Sequence, residues 1–208
     1  MQKARFYLLD TTIIDGFVSD SGMGSLRLID LLNSSVNKRK MGNGIFLSIK
    51  EGIQMIFVKK TIEEDGEDSI IFTEEQEEKE VPLDFILDES LQLEKTLNFE
   101  DTEYTVNLNQ ILFAHSMSDF KGVKNERARA LKNLIPVPIN ILTINNYMIS
   151  GNLMVPAINK GELPKDIYFG KHFIVLSDVK LKYLPSKKNY YRFHDHLIVN
   201  TQLIKAFY

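Results

Sequence analysis

Two histidines flank an aspartate at His194-Asp195-His196, the spacing in this chain best suited to holding a metal ion. Residues two apart on a strand share a face, so both imidazoles could reach one ion while Asp195 points the other way. Zinc takes a third or fourth protein ligand, and His172 is the one further histidine nearby in sequence. No His-Glu-x-x-His or comparable spacing accompanies the pair, so strand-edge or surface histidines and no bound metal are expected.

Other chemistries find less to work with. Gly22-Met-Gly24 and Gly42-Asn-Gly44 lack the strand, glycine-rich turn and helix that cradle a phosphate, and they read as turns. There is no cysteine, which removes thiolate nucleophiles, thiolate zinc sites and disulfides together. No Gly-x-Ser-x-Gly elbow supplies a serine nucleophile. Carboxylates are dense only in one solvated stretch, where nothing would raise a pKa for acid–base work. The expectation is a protein that is not an enzyme and that uses no cofactor.

Basic residues form three groups. Lys38, Arg39 and Lys40 sit in a polar loop, and Arg127 and Arg129 belong to a basic segment. Lys180 and Lys182 stand near Tyr190, Tyr191 and Arg192. Bases interleaved with aromatics suit single-stranded nucleic acid, through phosphate neutralisation and base stacking. Equally, Lys180 and Lys182 fit the outward face of a strand whose Val179, Leu181 and Tyr183 face a core.

The elements that would position these residues are strands. Residues 139–154 hold an apolar run, a polar turn, a second apolar run and a glycine, and residues 6–18 repeat the pattern imperfectly. Residues 173–183 align with residues 46–57 if Gly52 is a single insertion. Val106-Asn107 followed by Ile111 matches Val199-Asn200 followed by Ile204. Four segments recurring in one order imply a tandem duplication. Lys50 to Gly52 reads as a break between two strands, residues 45–49 and 53–58. Residues 26–33 suit a helix or a strand equally, and residues 104–113 read as one strand.

Charge is segregated as well. Residues 61–103 carry 17 Asp/Glu against two Lys, and the rest of the chain 11 against 23 Lys/Arg. Such a block is ordinarily a solvated excursion, or else an arm that shields a basic surface or docks on a basic partner. Apolar islands at residues 69–73 and 81–87 suit edge strands. The chain has 208 residues, is 44% hydrophobic and has no apolar run long enough to span a bilayer. A cytosolic protein without membrane insertion is expected, and the lack of cysteine fits a reducing compartment.

The layout resembles the Sm-like family of small SH3-type β-barrels, on an opening strand, a bent strand passing through Gly16 or Gly151, Asp30 and Asn33 as an Asp-x-x-Asn element, and a short last strand. The resemblance implies that Asp30 and Asn33 lie in a base-recognising loop. The second copy has Asp166 without the matching Asn, and neither last strand is preceded by the family's basic-glycine pair. Arg127 and Arg129 ahead of residue 139 are also similar to the arginine motif of PilZ domains, which bind a cyclic dinucleotide, although their spacing differs and the companion motif is missing. The expected fold is mainly β: two tandem small SH3/Sm-like β-barrels, residues 1–117 with an acidic insertion at 61–103, and residues 139–208. A short helical or irregular basic linker, residues 118–138, joins them. The expected function is a protein–protein interaction or regulatory adaptor module, with RNA or single-stranded DNA binding as the alternative and a PilZ-like sensor third.

Overall fold

The computed structural model describes residues 1–18, 28–34, 38–41, 44–59, 91–117, 134–156, 171–185, 191–193 and 196–207. Strands β1 (Gln2–Leu8) and β2 (Thr12–Val18) form a hairpin, and helix α1 (Leu28–Asn33) follows. Next come β3 (Lys38–Met41), β4 (Gly44–Lys59) and β5 (Leu91–Asn107). A 3-10 turn (Leu108–Gln110) then leads into β6 (Ile111–Ser116). The second half holds β7 (Leu134–Thr143), β8 (Tyr147–Pro156), β9 (Phe173–Tyr183), β10 (Tyr191–Phe193) and β11 (Leu197–Asn200). Another 3-10 turn (Thr201–Leu203) precedes β12 (Ile204–Phe207).

All twelve strands belong to one antiparallel sheet, ordered β12-β7-β8-β9-β11-β6-β1-β2-β4-β3, with β5 on β4 and β10 on β9. The chain is mainly β, and no ladder among the described residues closes the sheet. The two halves are joined within it by β11 pairing β6.

Several readings of the sequence are corrected. Residues 26–33, left open, contain a helix because Leu28, Leu31 and Leu32 fall on one face and are buried there. Residues 45–49 and 53–58 are one bent strand, β4, with a bulge opposite Asp15 and Phe17 rather than two strands. Residues 104–113 are two strands hinged at a 3-10 turn. β7 begins at Leu134, so Pro136 and Pro138 lie in a strand, paired with Met154 and Asn152. The islands at 69–73 and 81–87, and residues 118–133 of the linker, lie outside the described residues.

The halves repeat one another in register. Ala4 opposite Gly16 corresponds to Ile139 opposite Gly151. Thr12 opposite Ile56 corresponds to Tyr147 opposite Tyr183, and Phe46 opposite Asn107 to Phe173 opposite Asn200. No insertion at Gly52 is needed: Glu51 and Asp178 are counterparts, both with positive φ, 47° and 51°. Gly52 thus takes the place of Val179. Thr11 and Asn146, at 67° and 62°, hold equivalent places in the two hairpin turns. Leu9 N–H donates to the Gln110 carbonyl at 2.9 Å, and Ile144 N–H to the Leu203 carbonyl at 3.0 Å.

Neither half buries its core alone. One cluster gathers Phe6, Ile14, Ile49 and the α1 leucines, and takes Phe173 and Ile198 from the second half. The other is built on Ile141, Ile149, Leu176 and Leu181, and takes Tyr7, Phe57 and Phe113 from the first. Both faces of β1 are therefore covered, which explains why Tyr7 and Phe6, adjacent in sequence, are both buried.

Candidate functional site

The joint between the halves is where polar chemistry and topology meet. Ile198 lies opposite Ala114 and Val199 opposite Phe113, all four buried. Asn200, fully buried, caps its 3-10 turn by accepting from Gln202 N–H at 3.0 Å. Its Nδ2 crosses the joint to donate to the carbonyls of Leu108 (3.1 Å) and Ile111 (2.9 Å). A buried amide with its oxygen and nitrogen both satisfied fixes the register between two strands, because slipping one residue would orphan three polar groups. Phe113 packs edge-on against Tyr147, which packs against Tyr183.

The counterparts of these strands recur at the two ends of the arrangement, each without a second partner strand among the described residues. β5 is the counterpart of the strand carrying Asn200, and among the described residues it pairs with β4 alone. β12 is the counterpart of β6, and pairs with β7 alone. Its residues Ala206 and Phe207 are exposed, Phe207 to 44%, although their counterparts Phe113 and Ala114 are wholly buried. Sheet edges of this kind present a row of backbone donors and acceptors.

Asn33, expected to face a base, donates from Nδ2 to the Phe173 carbonyl and accepts from Phe173 N–H, both at 3.0 Å. Asp30 is half-buried and its carbonyl accepts from Ser34 N–H at 2.8 Å. The amide of Asn33 thus ties α1 to β9 of the other half. Asn33→Ala is expected to lower stability by about 1–2 kcal/mol in urea unfolding, since two hydrogen bonds are lost, and to leave oligonucleotide binding unchanged.

A largely buried ion pair sits beside the joint. Arg5 on β1 donates through Nε and Nη2 to both carboxylate oxygens of Asp15 on β2, each at 2.6 Å. Burial opposes the guanidinium charge, and the hydrogen bond and charge of Asp15 outweigh it, so the Arg5 pKa is raised. Tyr7 stacks on His115 and shares a hydrogen bond of 3.1 Å with its Nε2. At the equivalent place in the second half Ser150 Oγ donates to Asn140 Oδ1 at 2.7 Å. Nothing in the sequence patterns marked Arg5, Asp15 or Asn200 as special, although the Val-Asn repeat pointed at the last.

The expected nucleic-acid residues fall in separate places. β3, with Lys38, Arg39 and Lys40, is an edge beside β4; Lys40 is exposed. Lys180 is exposed, Lys182 half-buried, and Val179 and Leu181 between them face the core. β10 sets Arg192 opposite Lys180 and Tyr191 opposite Leu181. Five strands lie between β3 and β9 in the sheet order. Arg127, Arg129 and Tyr190 lie outside the described residues, as do His194 and Asp195. His172 stacks on Phe173, and no three metal-binding side chains converge among the described residues. No helix among them is long and apolar enough to cross a membrane.

The chain matches no protein-family model, no curated protein and no solved structure.

Proposed function

We propose that this chain is a non-enzymatic, cytoplasmic interaction module, built of two related small SH3- or Sm-like β-barrel units and binding protein partners through its sheet edges. The observation that carries this reading is that β5 and β12, counterparts of the two strands of the joint, each keep one side without a partner strand among the described residues. Backbone pairing supplies affinity at such an edge, and alternate side chains supply specificity. The polar side chains of Arg5, Asp15, Asn33 and Asn200 are engaged in holding the fold. The test is protein capture on the immobilised full chain, compared with a variant whose β12 edge carries lysines, Ala206→Lys with Phe207→Lys. Captured protein lost with that variant supports the reading; capture indifferent to it goes against it.

A second reading, single-stranded nucleic acid binding, draws on the register that sets Arg192 beside Lys180. On that reading purified protein carries nucleic acid, seen as a raised 260/280 nm absorbance ratio that salt removes. Lys180→Glu with Lys182→Glu would then weaken binding to mixed oligonucleotides by about tenfold, roughly 1.4 kcal/mol. Protein free of nucleic acid, with no salt-sensitive binding, sinks it.

A further inference from the structure

We infer that the partner of these edges is a second copy of this chain, docked head to tail with its β12 along β5. This rests on the edge-pairing reading above and names the occupant. The internal joint supplies the template, because it pairs the next-to-last strand of one half, β11, with the last strand of the other, β6. Transferring its register to the edges of β5 and β12 left open among the described residues sets Thr105 opposite Phe207 of the neighbour and Val106 opposite Ala206, the counterparts of Ile198 opposite Ala114 and Val199 opposite Phe113.

Two further observations fit this occupant. Asn107 caps its 3-10 turn as Asn200 does, accepting from Asn109 N–H at 3.0 Å, and its Nδ2 has no acceptor among the described residues. In the transferred register that Nδ2 meets the neighbour's carbonyls of Thr201 and Ile204, the counterparts of Leu108 and Ile111. Charge agrees as well: β5 carries Glu94, Glu100, Asp101 and Glu103 against one lysine, and residues 134–208 carry nine Lys/Arg against four Asp/Glu. The contact is heterologous, since β5 and β12 are different surfaces, so it propagates from copy to copy until the rotation closes it.

The experiment is light scattering on the full chain, coupled to size exclusion, with disulfide trapping. Wild type is expected at two or more times its 24.0 kDa monomer mass. Ala206→Lys with Phe207→Lys, at exposed positions, is expected at monomer mass with an unchanged circular dichroism spectrum. Asn107→Ala is expected to raise the dissociation constant about tenfold. The chain has no cysteine, so Thr105→Cys with Phe207→Cys should give a covalent ladder on oxidation, whereas Thr105→Cys with Ala206→Cys, whose side chains point to opposite faces, should not. Wild type at monomer mass with no ladder overturns the inference. If wild type is monomeric but the lysine pair abolishes capture of a different protein, edge pairing stands and self-assembly falls. If neither mass nor capture responds, both fall.

Discussion

Asp15→Ala is expected to destabilise the chain by about 3–5 kcal/mol, enough to unfold a large fraction of a marginally stable protein at physiological temperature. The loss comes less from the missing attraction than from what remains. Arg5 keeps its charge, its side chain is only 9% exposed, and it loses both guanidinium bonds to the carboxylate. The second half shows another solution at this crossing, Asn140 with Ser150. Arg5→Asn together with Asp15→Ser should therefore recover at least half of the loss, because a buried ion pair exchanged for a neutral, satisfied pair is often close to neutral. Urea unfolding of the three proteins measures both effects. An Asp15→Ala variant within about 1 kcal/mol of wild type would mean that the pair is solvated and weak.

The second large effect belongs to Gly52. A Cβ there would lie 2.6 Å from the Asp15 carbonyl oxygen and 3.6 Å from Gly16 Cα, so backbone must move. β2 and β4 cross closely at this point, where Gly16 also faces Ile49 without room for a side chain. Gly52→Ala should cost about 3 kcal/mol, at the upper end for an overpacked core. Gly151→Ala should cost less, since its Cβ would meet Ser177 O at 3.1 Å and Val179 Cγ2 at 3.2 Å, contacts that small shifts relieve. Thermal unfolding should therefore rank Gly52→Ala well below Gly151→Ala, and the reverse order would contradict the close crossing.

These two sites also show where reading from sequence stopped. Alignment by apolar residues alone requires Gly52 to be an insertion. The ladder makes Gly52 the counterpart of Val179: each follows a residue of positive φ, and the backbone of β2 comes too near in one half only. Asn33 illustrates the same limit. The resemblance to Sm-like domains implies a base-recognising loop for it, yet its partner is the backbone of Phe173, 140 residues away.

The sequence by itself determined the β class, the order of the repeated segments and the positions of most strands. Alternation, turn residues and glycines act within a few residues of one another, so local composition specifies them. It also placed Val179 and Leu181 inward and Lys180 outward, a consequence of period-two geometry. Only the tertiary structure decided that β11 lies on β6, that one open sheet runs through both halves, and that β5 and β12 each keep one side without a partner strand among the described residues. Which edge meets which depends on backbone groups common to every residue and on contacts far apart in the chain. Local pattern carries no record of that choice, and in this molecule it is the choice on which the proposed function turns.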